Sequence, residues 1–140
     1  MKAIKNILII LTVLLCITPS KAKAQRDKID ELRSTFIAKH LDFSSAESEK
    51  FWPIYNELHD KRKAIKKNLR QSLKNLPPAA TDKEAEELIN LENKSAAADA
   101  ELTKTYNDKL KLVIGAKKLA KLKVVEEEFK LEVLKAAKEK

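Results

Sequence analysis

The chain has 140 residues, of which 29 are Lys or Arg and 21 are Asp or Glu, so its formal net charge is +8; it contains one Gly, one Cys and 5% aromatic residues. Strands and tight turns draw on β-branched, aromatic and Gly residues, whereas 36% charged residues with abundant Lys, Leu, Ala and Glu are typical of amphipathic helices. The composition argues against β-sandwiches, barrels, doubly wound sheets and sites that bind nucleotides through Gly-rich loops.

Residues 1–24 have the pattern of a signal peptide. Two lysines precede an apolar run at residues 7–17, and an Ala-x-Ala cleavage site ends at Ala24. The run is shorter than the ~20 residues that a membrane-spanning helix needs, although an uncleaved anchor is the alternative. We predict export to the periplasm, cleavage before Gln25, and a single domain over residues 25–140 with no stable membrane insertion.

Removal of this segment changes both the charge and the sulfur content. The segment holds four lysines and no acid, so half of the +8 leaves with it. Cys16 leaves as well, and the remaining domain has no thiol for a disulfide or a thiolate metal site. Its stability must therefore come from helix packing.

The first helix is predicted over residues 26–41, where apolar residues recur at spacings of three and four. These residues are Ile29, Leu32, Phe36, Ile37 and Leu41. After Phe43, an S-x-x-E capping box runs from Ser44 to Glu47. In such a box the Ser hydroxyl accepts a hydrogen bond from the Glu backbone N–H, and the Glu carboxylate accepts one from the Ser N–H. A second helix is predicted to begin here.

The second helix is predicted over residues 45–76 because its apolar pattern persists throughout. Pro53, in its third turn, is expected to bend the helix without ending it. Two consecutive prolines follow the helix, and a T-x-x-E capping box from Thr81 to Glu84 then marks the start of a third helix over residues 82–113.

These two helices have equal predicted lengths, roughly 48 Å at 1.5 Å per residue, and a short connection joins them. An antiparallel hairpin is the natural arrangement. Gly115 is the only glycine and is predicted to mark a helix end, with a fourth helix beginning near Ala116. The predicted fold class is all-α, with four helices dominated by the long hairpin.

Opposite charges concentrate on the two hairpin helices. Residues 59–76 contain seven bases and one acid, whereas residues 82–101 contain seven acids and two lysines. One interpretation is that the two stretches lie side by side and neutralise each other. The other is an outward basic face that attracts acidic or unfolded polypeptides by long-range steering, since nucleic acid is not an expected partner of an exported protein. The candidate residues of that face are Lys63, Lys66, Lys67, Arg70 and Lys74.

Five of the seven aromatic residues that follow residue 24 lie between Phe36 and Tyr55. They either fill the core, which is the preferred interpretation, or form an apolar platform that a second chain or a client covers. For the second case, Phe51, Trp52 and Tyr55 are added to the candidate client-binding surface.

Arrangements typical of catalysis are missing from the sequence. The domain has two histidines, His40 and His59, on different predicted helices, and it has no H-E-x-x-H motif. A metal site assembled from both histidines and acids across helices is the remaining alternative. We predict a protein that is not an enzyme and has no cofactor and no metal site.

The segment LDFSSAESEKFWPIYNEL, residues 41–58, resembles the first LTxxQ-type motif and following helix of the Spy/CpxP family. It is most similar to the small exported branch from Bacteroidetes-type bacteria, described as sensors of extracytoplasmic-function (ECF) sigma factors or periplasmic heavy-metal sensors. Phe43, Ser44 and Glu47 stand where the motif has Leu, Thr and Gln. A weaker second copy at residues 114–118 lacks both the Thr and the Gln.

The resemblance implies a periplasmic helical hairpin that forms a homodimer with a basic, partly apolar concave face. Members bind unfolded envelope proteins without ATP, or sense envelope stress or metal and signal to a membrane partner. We expect a chaperone-like binding protein for unfolded or acidic envelope proteins. The alternative is a regulatory sensor that docks on a membrane-bound anti-sigma factor or kinase; its metal-responsive form is disfavoured because the two histidines are scattered.

Overall fold

The computed structural model describes residues 19–78 and 80–138, with side chains from residue 23 onward. In this part of the chain there are three helices and no strand, namely α1 (Pro19–Leu41), α2 (Ser45–Asn75) and α3 (Asp82–Lys138). The all-α prediction is confirmed. Residues 1–18, which hold most of the predicted signal peptide, lie outside the described residues. α1 begins at Pro19, a residue suited to the first turn of a helix because it has no N–H to leave unpaired.

Both predicted capping boxes are present and set the starts of α2 and α3. The Ser44 N–H donates to Glu47 Oε2 over 2.8 Å, and the Glu47 N–H donates to Ser44 Oγ over 3.2 Å. At the second box the Thr81 N–H donates to Glu84 Oε2 over 2.8 Å, and the Glu84 N–H donates to Thr81 Oγ1 over 3.3 Å. Each box pairs backbone donors that a helix start otherwise leaves free.

α2 continues through Pro53 and ends at Asn75, as its apolar pattern predicts. The next residue, Leu76, has extended backbone angles (φ −68°, ψ 121°). Leu76 precedes Pro77, and the proline ring disfavours the helical conformation at the residue before it. The end of α2 is therefore set locally.

The structure has three helical elements where four were predicted. The predicted junction at Gly115 is a kink inside α3, at backbone angles of φ 75° and ψ 164°. The chain is helical up to Gly115 on both sides. The helix therefore changes direction at this one residue, without a loop. We refer to residues 82–114 as the N-terminal arm of α3 and to residues 116–138 as its C-terminal arm.

α3 packs against both other helices. Its N-terminal arm runs antiparallel to α2, so the predicted hairpin is present. Its C-terminal arm runs antiparallel to α1, with the Phe36 and Phe129 rings 5.6 Å apart and Lys118 beside the chain that follows α1. The kink thus lets one long helix serve as partner to two shorter ones.

The core lies where the three helices meet near the kink. Its buried side chains are Ile37, Leu41, Phe51, Tyr55, Leu110, Ile114, Leu122 and Val125. Away from this junction the molecule is two helices thick, and large apolar residues are exposed there. Leu32 and Ile89, which the periodicity placed on apolar stripes, are 52% and 57% exposed. No helix within the described ranges combines the length and apolar character needed to cross a bilayer.

Candidate functional site

The segment that follows α1 and the start of α2 contact the chain just past Gly115 in the structure. Lys118, the last residue of the weaker copy, donates from Nζ to Glu47 Oε2 over 2.6 Å and to the Asp42 carbonyl over 3.0 Å. Phe43 lies half-buried beside this contact, with its ring 4.5 Å from that of Phe51. The motif residues therefore join the link between α1 and α2 to α3 just past the kink.

The ammonium of Lys118 and the Ser44 N–H both stabilise the charged form of the Glu47 side chain. Together they hold the pKa of the Glu47 carboxyl below its usual range, with the Lys118 hydrogen bond as the largest cause. Glu47 caps α2 and binds α3 with the same carboxylate oxygen. Its role in the described structure is to connect elements.

The candidate aromatic surface is corrected by the structure. Phe51 and Tyr55 are buried, at 0% and 3% exposure, and Trp52 is half-buried. The Phe51 and Tyr55 rings stack 5.1 Å apart, and Trp52 meets both edge to face. These rings fill the three-helix junction, because residues 51 and 55 lie one helical turn apart on the face of α2 that points into it.

Tyr55 also links α2 to the C-terminal arm through its hydroxyl, which donates to Glu126 Oε1 over 2.8 Å. Burial, followed by the negative charge of Glu126, raises the pKa of the Tyr55 hydroxyl well above its usual value. The hydroxyl therefore stays protonated and remains a donor. This hydrogen bond gives the polar end of the buried Tyr55 ring a partner.

A polar cluster joins α1 to α2. Arg33 Nη1 lies 2.6 Å from His59 Nε2 and 3.3 Å from Asp30 Oδ1. The Asp30 carboxylate also accepts from Lys63 Nζ over 3.2 Å. Arg33 Nη1 also lies 2.8 Å from His59 Nδ1, and His59 Nε2 lies 3.3 Å from Asp30 Oδ1, so the imidazole sits between the guanidinium and the carboxylate. Burial, followed by the positive charge of Arg33, lowers the pKa of His59 below its ordinary value.

The predicted basic face forms a row along α2. Lys66, Lys67, Arg70 and Lys74 are all exposed, and within the described residues none of them forms an ion pair. Lys63 continues the row at its α1 end, where it is paired with Asp30. We refer to these five residues as the basic row.

Four of the five residues of the basic row have no ion-pair partner among the described residues because of their position around α2. Arg62 marks the side of α2 that faces α3, through its contacts with Asp99 and Thr103. Leu58 and Ile65, within one helical turn of Arg62 on that side, are buried and half-buried, whereas Lys74 lies nine residues, or half a turn, away from Ile65. The acidic stretch of α3 therefore faces the other side of α2. Between the basic and acidic stretches, the described residues contain one ion pair, from Arg62 Nε to Asp99 Oδ1 over 3.0 Å. Arg62 also donates to Thr103 Oγ1.

A groove of about 400 Å³ opens at the tip of the hairpin, close to the end of the basic row. It lies between the last turn of α2 and the first turns of α3. Its lining residues are Ser72, Asn75, Leu76, Pro77, Glu84, Glu87, Leu88 and Leu91. Leu73, next to it in sequence, is 53% exposed. The tip thus offers apolar contact beside positive charge.

The two histidines have separate partners. His40 Nδ1 lies 2.7 Å from the Phe36 carbonyl, and His59 contacts Arg33. In the parts of the chain that the structure describes, no group of three His, Cys, Asp or Glu side chains is placed to hold a metal ion.

No protein-family model matches this chain, and neither a curated protein nor a solved structure is significantly similar to it. The resemblance to the Spy/CpxP family remains a prediction from the motif at residues 41–58. The class that the fold itself defines is an all-helical protein built on an antiparallel hairpin.

The sequence did not predict three features of the structure: the contact of Lys118 with Glu47, the polar cluster that joins α1 to α2, and the groove at the hairpin tip. The first two join residues that are 71 and 26 positions apart. The one available signal for the groove was the pair of prolines beside a capping box, which indicated a tight hairpin tip.

Proposed function

We propose that this protein is a non-enzymatic binding protein that captures acidic or unfolded polypeptides in the cell envelope through the basic row of α2, as a periplasmic, chaperone-like relative of Spy/CpxP. The observation that carries the proposal is the row itself. Lys66, Lys67, Arg70 and Lys74 are exposed on one face and have no ion-pair partner among the described residues.

Unpaired cations on one face of a rigid helix produce a positive field that extends beyond contact distance. Such a field raises the rate at which an oppositely charged partner is encountered, and it fades over about 8 Å at physiological salt. A row neutralised by the acids of α3 has no such effect. The exposed position of the row therefore favours capture of an outside partner over internal stabilisation.

Short-range contact is supplied at the hairpin tip. Leu73 is exposed there, and the groove next to it has apolar walls from Leu76, Leu88 and Leu91. An unfolded chain carries apolar side chains that a groove of this kind accepts. We assign the apolar part of client binding to this tip, in place of the aromatics that fill the core.

The test is suppression of aggregation of an unrelated acidic protein diluted from denaturant, followed by light scattering. Purified protein is expected to suppress scattering at several-fold molar excess. Replacing Lys66, Lys67, Arg70 and Lys74 by Gln is expected to slow capture strongly at low salt and to bring it close to the rate of the unaltered protein at high salt.

The matched control removes the same number of positive charges from α3, by Gln substitution of Lys83, Lys94, Lys104 and Lys111. These side chains are also exposed. Capture by the control variant is expected to stay close to that of the unaltered protein. An equal loss in both variants means that net charge alone acts. Absence of suppression by the unaltered protein rejects the proposal.

A further inference from the structure

The C-terminal arm of α3 has apolar residues on two opposite faces. Leu122 and Val125 are buried, and Phe129 packs against Phe36 of α1. Leu131 lies nine residues, or half a turn, from Leu122, and it is 57% exposed. A helix needs only one apolar face to pack against a two-helix layer, so the second face has no role in the described fold.

The exposed face carries Ala120, Val124, Leu131 and Leu134, which we call the outer stripe, with Glu127 between Val124 and Leu131 on the same face. Because an α-helix turns by about 100° per residue, these four side chains lie on one side of the helix. Val124 and Leu134 are each 58% exposed, and Ala120 is exposed as well. Apolar residues in a row of this length mark an interaction surface more often than single exposed residues do.

Positive charge accompanies the outer stripe. Lys117 and Lys121 lie along one edge of the stripe and Lys138 lies at its end; all three are exposed and have no ion-pair partner among the described residues. Of the acids that the structure describes in this arm, Glu128, on the same edge as Lys117 and Lys121, has no ion-pair partner, and the others are engaged. Glu127, which lies within the stripe, is 2.6 Å from Lys130, and Glu132 is 3.3 Å from Lys135.

We infer that the outer stripe docks this arm on an anionic lipid surface, with the helix lying in the plane of the headgroups. Leucines and valines on one face with lysines at the edge are the pattern of helices that bind this way. The Glu127–Lys130 pair within the stripe suits hydrated headgroup depth and not the hydrocarbon interior. A second copy of the chain is the competing occupant, and the experiment below distinguishes it from lipid.

The experiment reads the environment of one side chain in the full chain. A polarity-sensitive fluorophore is attached to Leu131→Cys in a Cys16→Ser background, and its emission is followed as phosphatidylglycerol–phosphatidylcholine vesicles are added. The matched control carries the label at Ile89→Cys, which is also 57% exposed but lies in the acidic part of the N-terminal arm. Any membrane contact made by the first 18 residues is common to both proteins.

A blue shift is expected at position 131 and not at position 89. The Lys117→Gln/Lys121→Gln variant is expected to need about twenty-five-fold more vesicles for half of the shift, since each lysine near an anionic surface contributes about a factor of five. Lys94→Gln/Lys104→Gln is the charge-matched control, with an unchanged midpoint.

Three results overturn the inference. They are no shift at position 131, an equal shift with phosphatidylcholine alone, and a shift without vesicles that rises with protein concentration. The last of these identifies a second copy of the chain as the occupant. Circular dichroism of each variant shows whether the helices are intact; all substituted positions of the arms are exposed, so the folded state is expected in every case.

Discussion

Lys118 and Glu47 form an ion pair, with Lys118 Nζ 2.6 Å from Glu47 Oε2, that ties the start of α2 to the C-terminal arm of α3. The lysine also donates to the Asp42 carbonyl, in the link between α1 and α2. Lys118, which belongs to α3, therefore contacts both the link between α1 and α2 and the first turn of α2. Both partners are less than one-third exposed, so solvent screens this pair less than the exposed pairs of the same arm.

Replacing Lys118 by Met is expected to lower the urea midpoint of unfolding, because it leaves Glu47 with the Ser44 N–H alone. The control is Lys130→Met, whose partner Glu127 is 69% exposed, and its effect is expected to be within about 0.5 kcal/mol. A double substitution of Lys118 and Glu47 should lower the free energy of unfolding by less than the sum of the two single substitutions. Equal effects at positions 118 and 130 contradict the special role of this pair.

Gly115→Ala is expected to destabilise the protein by about 1–3 kcal/mol, because φ 75° with ψ 164° belongs to a region that essentially only glycine occupies. An added Cβ meets no atom within 4 Å, so the cost comes from the backbone and not from a clash. Urea unfolding measures it.

Asp42→Gly is the companion to this test. Asp42 has φ 49°, a left-handed conformation that Asp tolerates and Gly adopts freely. This change is expected to be neutral or stabilising by less than about 1 kcal/mol. If Gly115→Ala proves neutral, α3 can pass the kink with ordinary helical angles.

The stability of the protein is expected to fall as the pH drops below 6.5, the ordinary pKa of a histidine side chain, because of His59. The folded state lowers the pKa of His59, so between the two pKa values the unfolded chain binds more protons and acid favours unfolding. The stabilisation is fully present above pH 6.5 and is lost as the pH approaches the folded pKa.

The same cluster contains Asp30, whose pKa is affected in two opposing ways. Burial raises it, but the hydrogen bond from Lys63 and the charge of Arg33 outweigh burial and leave the pKa below its ordinary value of 3.8. Its contribution is therefore lost only at lower pH than that of His59. His59→Gln is expected to flatten the dependence between pH 7.5 and 5.5 in urea unfolding, and an unchanged slope assigns it to other groups.

Phe51→Ala is expected to cost about 3–5 kcal/mol of unfolding free energy, because the ring is fully buried at the three-helix junction. Leu73→Ala, at the exposed hairpin tip, is expected to change stability by less than about 0.5 kcal/mol. The effect on client capture does not follow the effect on stability. Leu73→Ala, measured in the folded protein, is expected to lower capture although it barely changes stability. A stable Phe51→Ala variant with weakened capture restores the aromatic surface as the binding site.

Local features were predictable from the sequence. The starts of α2 and α3 follow from capping boxes whose partners are three residues apart, and the end of α2 follows from the proline after Leu76. The glycine was expected to interrupt the last helices, and it does so as a kink. These signals are readable because the interacting groups are neighbours along the chain.

The tertiary structure decided what each helix face meets. It buried Phe51 and Tyr55 in the junction, placed the basic row away from the acids of α3, and left the outer stripe uncovered. A helical period defines faces, but the rotation and crossing of packed helices determine which face meets a neighbour. The sequence by itself therefore determined the helical class, the two capping boxes and the interruption at Gly115, although it counted four helices where the structure has three. Only packing decided which charges and apolar residues remain available to a partner.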